Sequence, residues 1–455
     1  MVAGPATRSL KRQIQSLFKL PSCVRCLSTA PLPSAPLPVK GGPLASLLRN
    51  SIKATGPLPL SRYMQFCLSH PLHGYYAQGD VFGQKGDFIT SPEISQIFGE
   101  LVAIWLLTRY MSAGSPKRCR IIELGPGRGT LMEDVLRTLT TFPAIREAIK
   151  GVVLVENSEN MRAVQSEKLG KQCEQAGIAL SWHDKVDDVE PSEDFTMFIA
   201  HEFFDAMPVN LFERTNDGFR EVCVDIDPAY DPLLPSPSSS SGLRLAIARD
   251  STTLASVLPA TSVRFAELPV GSRVEIAPDS WQIMRRIGEV LGAEGAGGGA
   301  GLVVDYGGDQ SFGSSFRAFK NHKIVDIFEE PGTADLTANV DFTYLKESLA
   351  DSGTHTLGPI PQSAFLLRLG LQARLQKLLD SAPTPERKED LRQGAMRLID
   401  RLGMGSQYQV MGVTTTPPEV EVYPFPLPSA DQNDSSPGKA AGDVASSAAS
   451  SGPSE

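Results

Sequence analysis

The stretch IIELGPGRGT at residues 121–130 decides the fold, because an apolar run carrying one acid breaks into three glycines and a proline. With its upstream neighbours it reads RCRIIEL (118–124), a strand, and TLMEDVLRTL follows at 130–139 as a helix with Leu131, Val135, Leu136 and Leu139 on one face. A strand, a glycine turn and a helix in that order make the glycines meaningful. Glycine tolerates positive φ and lets a ligand approach the backbone where a Cβ would stand in the way. Pro126 fixes one φ, and the helix start beyond offers unpaired N–H groups to an anion. The pattern repeats outward. GVVLVEN (151–157), FTMFIAHEFF (195–204) and AGLVVDYG (300–307) are further apolar strands, and ENMRAVQSEKLGKQCEQAG (159–177) is a helix. Short apolar strands alternating with helices imply an α/β fold with a mostly parallel, doubly wound sheet.

Three ligands compete for such a turn. A nucleotide P-loop is excluded, since no Gly-Lys-Ser/Thr follows. A dinucleotide fingerprint, and with it a nicotinamide dehydrogenase, needs G-x-G-x-x-G, whereas Gly125, Gly127 and Gly129 put the third glycine one position early. The remaining option is S-adenosyl-L-methionine, whose carboxylate can sit at the helix start and whose cationic sulfonium tolerates Glu123. Glu156, near the end of the next strand, is placed to accept hydrogen bonds from both ribose hydroxyls; a solvated strand terminus is the plainer alternative. Asp184 in SWHDKVDD could meet the adenine amino group, although Asp187 and Asp188 lie beside it.

FIAHEFFDAMPV (198–209) places Glu202 and Asp205 just past a buried strand, at the edge where open α/β sheets bind ligands. Two acids among Phe203, Phe204 and Met207 form an anionic patch with apolar walls, suited to a planar guanidinium. In methyl transfer they would position the attacking nitrogen and accept its proton; a helix cap with an ordinary salt bridge is the alternative. In GDFITSPEISQIFGELVAIW (86–105), Ser91 is expected to cap a helix with Ile94, Ile97, Phe98, Leu101 and Trp105 on one face, and Gly86–Thr90 to lid the pocket.

At 455 residues with 41% hydrophobic content, the chain can bury a large core. No apolar run reaches the ~18–20 residues of a membrane span. A net charge of -9 argues against general nucleic-acid binding. The charge is uneven: residues 1–40 hold Arg8, Lys11, Arg12, Lys19, Arg25 and Lys40 and no acid precedes Asp80, the composition of a mitochondrial transit peptide cleaved near Ser28. The six cysteines make no framework, and Cys23–Cys26 has no second pair, so no metal site is expected; His70 and His73 read as loop or core residues. The lead, residues 227–242 and the tail are rich in Pro, Ser, Gly or Ala and read as disordered, the middle one as an insertion within the sheet. GAEGAGGGAG (292–301) reads as a flexible linker.

Beside these residue readings, GDFITSPEISQIFGE, IIELGPGRGTLMEDVLR, HEFFDAMPV, VVDYG, FRAFKNHKIVDIFEEPGTADLTANVDF and GPIPQSAFLLRLGL together resemble the MidA-like family, over residues 44–415. The resemblance implies a class I (Rossmann-like) S-adenosylmethionine-dependent methyltransferase with added N-terminal helical and insertion elements, acting in the mitochondrial matrix. It implies symmetric dimethylation of an arginine on the complex I iron-sulfur subunit of the quinone module, in support of complex I assembly. It places the cofactor on Glu123, Gly125, Gly127 and Gly129 and the acidic motif on Glu202 and Asp205. The family usually has Asn where this chain has His201, whose imidazole would bring a titration near neutrality. Asp335 and Asp341 are expected to draw in a basic peptide. A homodimer is allowed. The division expected is a lead at 1–43, a helical and lid region at 44–118, a methyltransferase domain at 119–427 interrupted at 227–242, and a tail at 428–455. The rival reading from another class is a non-catalytic assembly chaperone that keeps the fold.

Overall fold

Seven strands carry the main sheet: β1 Cys119–Leu124, β2 Ile149–Val155, β3 Ala179–His183, β4 Phe195–His201, β5 Gly299–Gly308, β6 His355–Pro361 and β7 Tyr408–Thr414. They lie in the order β6-β7-β5-β4-β1-β2-β3, with a two-residue strand at Val340–Asp341 paired to the end of β5. Contacts from β5 through β3 are parallel. β7 runs antiparallel to both neighbours. The computed structural model describes residues 41–77, 90–231, 240–417 and 420–426. The expected transit peptide with Cys23, Cys26 and Ser28, most of the Gly86–Thr90 lid, positions 232–239 of the Ser-rich insertion and the tail lie outside them.

Parallel strands covered on both faces should be apolar throughout, and all seven residues of β4 are buried. Alternate residues serve two cores. Ile121, Met197, Ile199 and Leu302 face the helices Gln96–Ser112 and Thr130–Leu139, while Ile122, Phe198, Ala200 and Val303 face the helix Pro278–Gly292. The helix after the glycine turn buries Leu131, Val135, Leu136 and Leu139 as its periodicity requires.

The single helix expected from Ser91 is broken. Ser91–Ile94 forms one turn, Ser95 is extended at φ -159°, and its hydroxyl accepts from Ile97 N at 3.3 Å to cap Gln96–Ser112. Ser91 instead hydrogen-bonds Gln362 at 3.3 Å. The break turns this segment toward the carboxyl edge of the sheet, and Pro92 and Glu93 line the cleft there.

Between β4 and β5 the chain builds a second, antiparallel sheet from Asn210–Thr215, Gly218–Ile226, Leu243–Ile247 and Arg273–Ile276, joined by Leu58–Pro59. The insertion expected at 227–242 therefore interrupts this sheet and not the parallel one: it connects two of its strands, with Ile226 opposite Leu243. Its ends are ordered, Asp227 N donating to Gly242 O at 2.9 Å. Leu44, Leu48, Leu60, Tyr63 and Met64 pack against Leu211, Val222 and Val224 of this sheet. Residues 44–118 are thus shared between two cores.

The GAEGAGGGAG segment joins a helix to β5 as expected; its middle, at Glu294 and Gly295, is exposed, but its last glycines lie against backbone. A Cβ on Gly297 would lie 2.2 Å from Glu193 O, and one on Gly299 2.1 Å from Thr196 O. These glycines allow the backbone of the crossover to touch that of β4, which requires the absence of a side chain and not freedom of motion.

Candidate active site

The carboxyl ends of β1 and β4 open into a cleft of about 830 Å³ lined by the glycine turn, Glu202 and Asp205, and roofed in part by Tyr75, Tyr76 and Asp335. All three turn glycines have positive φ, at 59°, 51° and 79°. Their surroundings differ. A Cβ on Gly125 would strike the Phe203 ring at 2.8 Å, whereas one on Gly127 meets no atom of the described residues within 4 Å. Gln165, wholly buried, fixes the turn by donating to Gly127 O at 2.7 Å and to Glu156 at 3.3 Å, while its own oxygen accepts from Trp182 Nε1 at 2.8 Å.

Glu123 is 2% exposed and its Oε2 has no hydrogen-bond partner among the described residues. Burial pushes its carboxyl up to about 8. A buried acid of this kind disfavours the folded state once it must ionise. The native chain then holds a proton that the unfolded chain has released, so stability is greatest below the ordinary value of 4.5 and falls as pH rises toward about 8. Without cofactor, Glu123→Gln is expected to gain stability over the parent in urea denaturation. The gain should widen between pH ~5.5 and ~8.5 to on the order of 4 kcal/mol; a constant gain would show Glu123 to be ionised throughout.

Glu156 accepts from Ser158 N at 2.8 Å as well as from Gln165, and these donors offset part of the upward push of burial on its carboxyl. Neither Glu156 nor Asp184 is among the residues lining the cleft; the Asp184 side chain is 74% exposed and ion-paired to Arg162, which also donates to Glu156 O.

Glu202 and Asp205 occupy the turn that leaves β4. Glu202 has φ 49°, a region that disfavours any residue but glycine. Its N–H donates to Val304 O at 2.9 Å, and its Oε1 has no hydrogen-bond partner among the described residues. Burial pushes Glu202 up to about 8, the charge of Asp205 adding to it; the Tyr408 hydroxyl, short of hydrogen-bond geometry, and Ser91 N–H act the other way. Asp205 is 6% exposed. Burial raises its carboxyl too, opposed by the nearby Arg317 guanidinium. Ala338 N donates to Asp205 O at 3.0 Å and holds the far side of the turn.

His201 does not titrate near neutrality. It is 8% exposed, stacked on the Tyr408 ring at 6.3 Å and tilted on Phe98 at 4.9 Å, and burial lowers its pKa to about 3. It stays neutral. Asp335 lines the cleft, but Asp341 does not face a peptide: it accepts from Tyr344 N at 3.0 Å as a helix cap and pairs with Arg264 at 3.1 Å. The His70 ring nitrogen accepts from Leu72 N and His73 N at 3.2 Å each, closing a turn. Among the described residues no cluster of three or more His, Cys, Asp or Glu could hold a metal ion, and four free cysteines are buried.

Sequence reasoning missed Gln165 and Asp305. Asp305 is fully buried, and its Oδ2 accepts from the N–H groups of Phe203 at 3.1 Å, Phe204 at 2.8 Å and Asp205 at 3.3 Å. The available signal was an acid closing the otherwise apolar LVV run of β5; its partners, about 100 residues earlier, were not readable.

Among the described residues lining the cleft are five carboxylates, Glu93, Glu123, Glu202, Asp205 and Asp335, and one guanidinium, that of Arg128. That balance suits cationic ligands. The residues fit a sulfonium nucleoside: an unpartnered buried carboxylate at Glu123, an open face at Gly127, and a helix start at Thr130.

Residues 101–360 match the family model described as "Putative S-adenosyl-L-methionine-dependent methyltransferase". The chain is similar to the human protein arginine methyltransferase NDUFAF7, mitochondrial, at 37% identity over 386 residues, covering 80% of this chain and 82% of that protein. It is similar to the NDUFAF7 homolog of Drosophila melanogaster at 36% identity over 389 residues, covering 82% and 85%. A crystal structure from Burkholderia thailandensis bound to S-adenosyl-homocysteine superposes with a TM-score of 0.65 at 26% identity, covering 82% of this chain and 91% of that one. The chain belongs to this MidA-like family of S-adenosyl-L-methionine-dependent methyltransferases.

Proposed function

We propose that the chain is a protein-arginine N-methyltransferase of the mitochondrial matrix that symmetrically dimethylates an arginine on the complex I iron-sulfur subunit of the quinone module. The observation that carries the reading is the Glu202–Asp205 turn: two buried carboxylates, one with an unpartnered oxygen, face the same cleft as the glycine turn. The names of the curated relatives support arginine as acceptor and the mitochondrion as compartment. No helix among the described residues is long and apolar enough to cross a membrane.

S-adenosyl-L-methionine, when bound, supplies an activated methyl group. In this assignment Gly125, Gly127, Gly129 and the helix start at Thr130 receive its amino-acid end, Glu156 its ribose, and Glu123 lies toward its positive charge. Glu202 and Asp205 hold the target guanidinium, draw its charge away from the attacking nitrogen, and accept the proton that nitrogen loses. The neutral His201 and the rings of Tyr306 and Tyr408, 4.0 Å apart, back the pair and exclude water.

Mass spectrometry of complex I subunits from cells with and without this protein tests the reading. Loss of symmetric dimethylarginine from the iron-sulfur subunit is expected. Unchanged methylation with defective assembly would favour the chaperone.

A pH dependence follows from Glu202. Only its anion can hold a guanidinium, and burial with the charge of Asp205 keeps it protonated until about 8. With cofactor saturating, kcat/KM for the acceptor is expected to rise on the order of 20-fold from pH ~6.5 to ~8.5, in step with the Glu202 anion. A falling profile over that window would remove Glu202 as the anionic group.

A further inference from the structure

We infer that Asp305 is a positioning residue for methyl transfer: its carboxyl group holds the turn that aims Glu202 and Asp205, and so governs the chemical step more than cofactor affinity. The inference rests on the roles proposed above for that acid pair.

β4 and β5 run side by side up to Val304 opposite His201. The next residue of β5 is Asp305, one step beyond the last rung, where β4 has turned away and its N–H groups are no longer used by the sheet. Its Oδ2 collects three of them in succession, from residues 203, 204 and 205, and its Oδ1 accepts from Tyr306 N at 3.0 Å. Successive N–H groups converging on one point form a nest for an acceptor oxygen; here the oxygen comes from the chain itself. Burial and the charge of Asp205 push the Asp305 carboxyl well above the ordinary carboxylate range, with the Phe204 and Tyr306 N–H groups acting the other way, and Oδ2 can accept from its three N–H donors in either protonation state. That convergence has a purpose at this place, because Glu202 sits at φ 49°. A non-glycine residue keeps that backbone only where its surroundings over-determine it. The Glu202 N–H bond to Val304 O and the nest on the following three residues enclose the strained position from both sides. Asp305 is fully buried and does not line the cleft, so it acts through the turn and not on the substrate. The cofactor side is held separately, by Gln165 between Gly127 and Glu156.

The full chain, with the recombinant complex I iron-sulfur subunit as methyl acceptor and S-adenosyl-homocysteine release as readout, provides the test. Asp305→Ala should lower kcat about 100-fold, since misplacing reacting groups by ~1 Å costs that much, with KM for S-adenosyl-L-methionine changed less than about threefold. Asp305→Asn keeps one oxygen for the three N–H groups and should recover kcat to within about tenfold of the parent. Turnover of Asp305→Ala at the parent rate, or equal loss in both variants together with cofactor affinity, would overturn the inference. If the parent itself fails to methylate the subunit, the functional reading has failed instead. Amide hydrogen exchange then decides the inference independently. In Asp305→Ala the amides of residues 203–205 should exchange at least ~100-fold faster while those of Ile121 and Ile199 are unchanged; unaltered protection at 203–205 would overturn it.

Discussion

Glu202→Gln is expected to lower kcat by roughly 10³-fold, or about 4 kcal/mol of barrier, while S-adenosyl-L-methionine binds within about threefold of the parent. The substitution keeps the shape of the side chain and removes its charge and its capacity to take a proton. It also removes a carboxyl whose ionisation burial and the charge of Asp205 disfavour, so the variant should fold at least as well as the parent. Loss of turnover therefore cannot come from unfolding. Isothermal titration with cofactor and a methyl-transfer assay on the same preparation check the split. Parental turnover would show that another group carries the guanidinium and its proton.

Gly127→Val is expected to fail at the opposite end of the cleft, with cofactor affinity reduced at least about 100-fold. Two effects act together. The φ of 51° is unfavourable for a β-branched residue, and a Cβ there meets no atom of the described residues within 4 Å, so the new side chain enters the space where the backbone is laid bare. Gly125 offers a contrast, because its hypothetical Cβ strikes Phe203 and would disturb packing first. Calorimetry on a Gly127→Val preparation of unchanged melting temperature isolates the local effect. Undiminished binding would place the cofactor elsewhere.

The sheet strands and the helix at Thr130–Leu139 were legible because burial on both faces, or on one helical stripe, writes itself into a short window of sequence. The glycine turn and the acid pair were legible for the same reason: each lies within a few residues of a strand end. What was not legible depends on distant partners. Ser95 and not Ser91 caps the long helix because Ser91 is engaged by Gln362. The glycines near residue 297 resemble a linker until the approach of Glu193 O is seen. His201 resembled a titrating group, and only its enclosure by Phe98 and Tyr408 removes that property. Asp184 reads as a ligand on spacing alone; its exposed carboxylate pairs with Arg162, a partner 22 residues away.

The bond from Phe203 N to Asp305 spans 102 positions of the chain, with four of the five strands of the antiparallel sheet between them. At ~5–20 residues per second of synthesis, the acids emerge on the order of 5–20 s before the carboxyl group that steadies them. The half-made protein can therefore display its glycine loop early, while the acid turn waits for β5 and its Tyr408 backing waits for β7.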